Sequence, residues 1–176
     1  MRTIHHAVLE ELRRLRTTPQ TILDIGCGDG AFTRAISTVF PRTAVTAIDD
    51  VIGKPFSSGN VSFKKGTAEN LPFASESFDA AVAVLSLHHW DAKEKGIGDA
   101  FRVLKRGGTL IIGDPLLEDW MRHRVLGWLM EKMDGGTFLD RKTVSAYCGA
   151  AGFAHMDIRL VPQTMRSLYL ITARRE

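Results

Sequence analysis

Apolar positions along this chain change their period from one segment to the next. Ile4, Val8, Leu12 and Leu15 share one helical face with charges between them, which predicts a helix over residues 4–16, ended by Pro19. Thr21 to Ile25 is a short β-type run that stops at Gly26, Gly28 and Gly30. Residues 30–39 read as a helix stopped by Pro41, and β-type runs follow at 43–48, 61–65 and 78–85. The last of these is apolar on successive residues, as expected of a strand covered on both faces. Residues 91–105 read as a helix with Gly96 and Gly98 as points of interruption and Gly107-Gly108 as its stop. Thr109 to Gly113 is a fifth strand, 116–133 and 140–151 read as helices, and Gly152 caps the second of them. Strands near 153–160 and 167–174 complete the pattern. Strands alternating with helices, with glycine at the junctions, imply an α/β fold with a mainly parallel sheet. The link over 50–60 holds Gly53, Pro55 and Gly59 and is too short for a regular crossover helix, so a loop or a single turn is expected there.

Length and composition narrow this picture. A chain of 176 residues is the size of one domain, here taken as 1–176, and 44% hydrophobic with 24% charged residues describes a folded globular protein. The longest apolar run, Ala80 to Leu85, is far short of the ~18 residues of a membrane span. The start leads into charged residues rather than an apolar signal core, so secretion is not expected. Cys27 and Cys148 lie far apart, which argues against a disulfide scaffold and a thiolate metal site and makes a cytoplasmic location the expectation. The net charge is +3 and the basic pairs are scattered, so nucleic-acid binding is disfavoured.

The informative segment is Leu23-Asp24-Ile25-Gly26-Cys27-Gly28-Asp29-Gly30-Ala31. A strand, a glycine turn and a helix bring backbone N–H groups and a helix N-terminus against a ligand. Gly26, Gly28 and Ala31 also satisfy the spacing of nicotinamide-binding enzymes, so spacing does not separate the readings. Charge does. A pyrophosphate would meet Asp24 and Asp29, and like unit charges 4 Å apart cost about 4 kcal/mol at an effective dielectric of ~20. A ligand with a cationic end would be attracted instead. Asp49 ends the second strand about twenty residues further on, where a carboxylate accepts from two ribose hydroxyls. The alternative is that Asp49 initiates the loop, a part that Asp50 beside it could also play.

Here the sequence resembles the class I S-adenosylmethionine-dependent methyltransferases, most nearly the small-molecule set that includes the ubiquinone-biosynthesis type. The resemblance is strong over roughly 20–113 and looser over 140–174. Leu23 to Gly30 is similar to the first motif and Ala47-Ile48-Asp49 to the ribose motif. Gly66-Thr67-Ala68-Glu69-Asn70-Leu71-Pro72-Phe73 followed by Ser77-Phe78-Asp79 looks like the adenine-side motif. Ser86-Leu87-His88-His89-Trp90, Arg102 to Gly108 and Ala150-Ala151-Gly152-Phe153 look like the later ones. The resemblance implies a Rossmann-like doubly wound seven-stranded sheet, order 3-2-1-4-5-7-6, with strand 7 antiparallel. It implies S-adenosylmethionine as cofactor, with a sulfonium, an ammonium and no phosphate, and S-adenosylhomocysteine as product. Asp24 would hold the ammonium, directly or through water. Gly26, Cys27 and Gly28 would form the loop against the methionine part, and Asp49 would take the ribose. Asp50, Ala68 and Glu69 would flank the adenine, and Leu85 would offer backbone to the methionine end. Thr67 departs from the family, which often has an Asp accepting the adenine amino group; a hydroxyl accepts more weakly.

A sulfonium methyl is already activated, so the protein chiefly supplies approach, alignment and exclusion of water. His88 and His89, just past strand four, are candidate bases where the acceptor must lose a proton. The other reading has one packing or capping the next helix and the other touching only cofactor. No Asp/Asn-Pro-Pro-Tyr/Phe and no Pro-Cys follows strand four, which argues against methylation of nucleic-acid bases. Cys27 reads as a small residue in a tight turn, and no metal site is expected. Acceptor selection falls to 114–139, an insertion or lid where the resemblance thins. Leu117, Met121, Val125, Leu129 and Met133 recur every four residues there, flanked by Trp120 and Trp128. A helix packed on the sheet or at a dimer seam, a Met- and Trp-rich substrate lid, and a membrane-surface helix all fit that stripe. Trp90, Trp120, Met121 and Trp128 are the candidate acceptor contacts. The acceptor is expected to be small and apolar or aromatic, and a pocket shared in a homodimer is one arrangement. Two hypotheses follow: a small-molecule methyltransferase, or a degenerate methyltransferase-like binding subunit without its own activity. A nicotinamide oxidoreductase ranks third, disfavoured by Asp24 and Asp29.

Overall fold

Strand burial in the structure, a computed structural model, follows the apolar pattern of the sequence closely. It describes residues 3–51, 59–117, 132, 135–162 and 168–176. Helices α1 (Thr3–Arg13), α2 (Ala31–Val39), α3 (Lys93–Val103) and α4 (Arg141–Ala151) are interleaved with seven strands. These are β1 (Thr21–Ile25), β2 (Ala44–Asp49), β3 (Val61–Lys65), β4 (Phe78–Val84), β5 (Leu104–Pro115), β6 (Ala154–Val161) and β7 (Leu168–Arg174). They form one sheet in the order β3-β2-β1-β4-β5-β7-β6. The first five are parallel, and β7 runs antiparallel between β5 and β6.

Side chains alternate across a strand, so each central strand feeds two cores. Ile22, Ala80, Val82 and Ile111 join Ile4, Val8 and Leu12 of α1 and Phe32 and Ile36 of α2. Leu23, Ile25, Ala81, Ala83, Leu110 and Ile112 join Ile97, Ala100 and Val103 of α3 and Val144 and Cys148 of α4. The edge strands β3 and β6 are exposed on alternate positions, as their more polar sequences require.

Three element boundaries differ from the sequence reading. Helix α1 ends at Arg13, and the N–H of Leu15 turns back to the carbonyl of Leu12, tightening the chain before Pro19 is reached. Helix α3 starts at Lys93 and passes Gly96 and Gly98 unbroken. At Gly96 a Cβ would lie 2.5 Å from the Trp90 ring, so this glycine is the seat of an indole and not a helix break. Strand β5 begins at Leu104, not Thr109. Gly107-Gly108 sits inside it, at the register shift between Phe78 and Ala80 of β4, with Gly107 at φ +79°. Within the link over 50–60, residues 52–58 lie outside the described residues. So do 118–131 and 133–134, and with them most of the helix expected over 116–133.

Candidate active site

Strand order reverses between β1 and β4, and there the loops after β1, β2 and β4 separate and leave a crevice beyond the carboxyl ends of the strands. A cavity of about 340 Å³ opens at this point. Eight of the ten expected cofactor residues line it: Gly26, Gly28, Asp49, Asp50, Thr67, Ala68, Glu69 and Leu85. Ile48, Gly66, Ser86, His89, Trp90 and Asp91 complete its wall.

The glycine loop is held rigidly. The N–H groups of Gly26 and Cys27 both donate to the carbonyl of Ile48, at 2.8 and 3.1 Å. Gly26 has φ +76°, and a Cβ there would lie 2.4 Å from the Cβ of Ser86. Ser86 in turn donates from its hydroxyl to the carbonyl of Ile25 at 2.8 Å, clasping the end of β1 to the turn after β4. Next to it Leu85 adopts φ +54°, a left-handed conformation strained for a leucine, which turns the main chain at the cavity mouth. Gly28 has open space where a Cβ would stand.

Asp49 accepts from the N–H of Gly28 at 2.7 Å and of Val51 at 3.0 Å, one bond to each carboxylate oxygen. A carboxylate has about four acceptor positions, so capacity remains for further donors. Asp49 thus initiates the loop and also lines the cavity. Glu69 reaches across to accept from the N–H of Ala92 at 3.2 Å, tying the turn at Ala68–Asn70 to the start of α3. Asp29 accepts from the N–H of Ala31, so its own charge answers the positive end of α2. Among the described residues the wall carries the carboxylates of Asp49, Asp50, Glu69 and Asp91 and no lysine or arginine. Such a cavity favours a cation and repels a phosphate.

Asp24 and Cys27 sit behind this wall. Asp24 is 1% exposed and accepts from the Thr33 hydroxyl at 2.6 Å. Burial pushes its carboxyl up to about 7, the Thr33 bond opposing and the charge of Asp49 adding to the rise. Burial likewise pushes the Cys27 thiol up to about 12, reinforced by Asp24 and Asp49. That is a small buried residue in a turn and not a nucleophile.

A second cavity, about 490 Å³, adjoins the first through His89, Trp90 and Asp91 and is also lined by His88, Lys93, Lys132 and residues 135–137. The two histidines thus have different places. His89 borders both cavities, whereas His88 borders only the second. His88 Nδ1 lies 2.8 Å from Oδ1 of Asp114, at the end of β5, and the other oxygen of Asp114 accepts from the N–H of Leu87 at 3.0 Å. Asp114 is 1% exposed, and burial pushes its carboxyl up against the opposing bond and charge of His88. An Asp accepting at Nδ1 leaves Nε2 as the ring nitrogen with the lone pair. Over this turn lies the segment 135–138. Thr137 N–H donates to the His88 carbonyl at 2.9 Å, Phe138 stacks on the His88 ring, and the buried Lys93 donates to the Trp90 carbonyl and the Thr137 hydroxyl, each at 2.7 Å.

Trp90 lines both cavities and also belongs to the core. Its ring packs on Gly96 and Ala68, and its indole N–H is a buried donor without a partner among the described residues. Trp120, Met121 and Trp128 lie outside the described residues. Asp114, Ser86, Lys93 and Thr137 were missed in the sequence. Asp114 alone carried a signal, as the one charge closing the apolar run Thr109 to Leu117.

Among the described residues no helix is long and apolar enough to cross a membrane. The family described as "methyltransferase domain" matches residues 23–112, half of the chain. An O-methyltransferase of Pyrenophora dematioidea is 36% identical, over 63% of this chain and 45% of its own. A ubiquinone/menaquinone biosynthesis C-methyltransferase of Methylobacterium nodulans is 34% identical, over 60% of this chain and 46% of its own. The chain thus spans about half the length of these relatives. In fold it is similar to the solved 1,6-didemethyltoxoflavin-N1-methyltransferase of Burkholderia thailandensis, which holds 1,6-didemethyltoxoflavin and S-adenosylhomocysteine. The TM-score there is 0.75 at 20% identity, over 99% of this chain and 77% of the other.

Proposed function

Since the chain belongs to the methyltransferase-domain family, we propose that it transfers a methyl group from S-adenosylmethionine to a small, apolar or aromatic acceptor. The observation that carries this reading is the acidic cavity at the switch point, whose wall among the described residues holds four carboxylates and no lysine or arginine. A sulfonium and an ammonium suit that wall, and a pyrophosphate does not. S-adenosylmethionine supplies an activated methyl for in-line displacement at the acceptor's nucleophilic atom, the sulfonium leaving as a thioether.

The chain's own residues do the rest. Asp49 accepts from the ribose hydroxyls with its remaining lone pairs. Gly26 and Gly28 let the methionine part approach the main chain, with Cys27 the small residue between them. The Leu85 backbone faces the methionine end, and Asp24 answers the ammonium through water. Thr67 accepts from the adenine amino group, with Asp50, Ala68 and Glu69 around it. The second cavity takes the acceptor, and His88, its ring fixed by Asp114, receives the acceptor's O–H or N–H proton at Nε2. His89 stands between the two cavities. The fungal relative named an O-methyltransferase supports an oxygen acceptor.

Calorimetric titration with S-adenosylhomocysteine, with NAD as the control, tests the cofactor assignment. Asp49→Ala removes charge-assisted hydrogen bonds of about 1.5–3 kcal/mol, so binding should weaken by ten-fold or more while the melting transition persists. Equal affinity in Asp49→Ala would overturn the placement of the ribose. Tight NAD binding would overturn the cofactor. Cofactor binding with no transfer to any acceptor in a broad panel would favour the degenerate binding subunit.

A further inference from the structure

At the opposite end of the sheet, where β1 and β4 begin and β7 ends, lies a cleft of about 490 Å³. β4 has seven residues, so the cleft stands roughly 20 Å from the cavity at the switch point. Its charges can be accounted for one by one. Asp79 accepts from Lys105 at 2.8 Å, from the N–H groups of Gln20 and Thr21 and from the Thr21 hydroxyl, so its charge is spent on holding strand starts together. Glu11 is shared between Arg14 and Arg159, and His155 Nε2 lies 2.7 Å from Glu176 Oε1. What remains is Arg16 in the link after α1, Arg106 on β5 and Arg174 at the end of β7, three arginines that line one cleft without an ion-pair partner among the described residues. Arg174 is half-buried, its Nη2 lying 3.7 Å from where a Cβ would stand on Gly107 of β5.

We propose that this cleft binds a phosphorylated small molecule, its phosphates held by Arg16, Arg106 and Arg174. Guanidinium forks match phosphate oxygens in pairs, and three unpaired forks ask for more charge than a single carboxylate carries. The cleft's volume suits a ligand of nucleotide size. Its distance from the methyl-transfer cavity makes the ligand a second one, separate from cofactor and acceptor.

Titration of the intact chain with inorganic tripolyphosphate and with ATP tests this. Both should bind, with affinity falling as salt rises, and each Arg→Gln change should weaken binding roughly ten-fold. S-adenosylhomocysteine binding, measured alongside as a check on folding, should stay unchanged. Because Arg106 is exposed and has no ion-pair partner among the described residues, Arg106→Gln alone carries the test if Arg16→Gln or Arg174→Gln loses its melting transition. Binding of tripolyphosphate alone and not of ATP would mean a free polyphosphate; equal binding of both would place recognition in the phosphates, and either outcome supports the site. Unaltered affinity in Arg106→Gln, or no binding of either probe at millimolar concentration, would overturn it. So would a single-stranded RNA that binds far more tightly than either probe and is lost in the same variants, since the cleft would then serve a polynucleotide.

Discussion

Asp24 offers the sharpest test, because one substitution should move stability and ligand binding in opposite directions. Its carboxyl titrates at about 7 in the fold, against 3.8 for an unhindered aspartate. Between those values the folded chain holds a proton that the unfolded chain releases. Stability therefore falls as pH rises from about 4 to 7 and stays low above that. A difference of about three units corresponds to roughly 4 kcal/mol at pH 8. Asp24→Asn removes the charge, and its amide oxygen can still accept from Thr33. The variant should be more stable than the parent at pH 8 by up to about 4 kcal/mol, a melting shift on the order of 10 °C, and nearly equal to it at pH 4. A cationic ligand needs Asp24 ionised. With a midpoint near 7, the apparent affinity for S-adenosylhomocysteine should rise about ten-fold between pH 6 and 8 in the parent. In Asp24→Asn it should be weak and independent of pH across that range. Melting curves from pH 4 to 9 and calorimetric titrations at pH 6, 7 and 8 read both effects. Parallel pH profiles for parent and variant would refute the reasoning, because the titrating group would then be some other residue.

Three further substitutions or treatments probe the rest of the site. Gly26→Ala adds a Cβ 2.4 Å from that of Ser86 at a left-handed backbone position, so chemical denaturation should show a loss of roughly 2–4 kcal/mol; a change under about 0.5 kcal/mol would mean that the two loops separate freely. Asp114→Asn can offer its carbonyl oxygen to Leu87 or to His88 but not to both. With the amide nitrogen at Nδ1 the proton moves to Nε2, and the methyl-transfer rate should drop by roughly 10²- to 10⁴-fold with cofactor affinity kept; an unchanged pH–rate profile would remove His88 from the chemistry. Both cysteines titrate at about 12, so a thiol reagent at pH 8 should label neither until the chain is unfolded, and rapid labelling of Cys27 in the folded protein would contradict its burial.

Much of this architecture was legible in the chain because each level repeated the same message. The run of successive apolar residues in β4 implied a strand covered on both faces, and the two cores meet on its alternate side chains. The glycine loop and Asp49 line the switch-point cavity together because both follow strand ends that the apolar runs at 21–25 and 43–48 already marked. What escaped was decided by partners distant in sequence. Gly96 reads as a helix breaker until Trp90 is seen resting on it, and Gly107-Gly108 reads as a helix stop until β4 supplies the bulge. Asp114 is 26 residues from His88, and nothing local ties an aspartate after β5 to a histidine after β4. Asp24 was expected against the ligand; that its side chain would be buried behind the loop on Thr33 depends on the packing of α2 against β1.

Among the described residues the segment over the His88 turn is fastened by the N–H of Thr137, its hydroxyl toward Lys93, the buried Phe138 ring stacked on His88, and the close seat of Gly136, where a Cβ would lie 2.7 Å from the His88 carbonyl. The first of these is indifferent to residue type; the others need a hydroxyl, an aromatic ring and a glycine at fixed places. Such a segment constrains its own evolution: a lineage carrying it can vary the residues beyond these anchors, while Gly136, Thr137 and Phe138 are held to their types by the turn they cover.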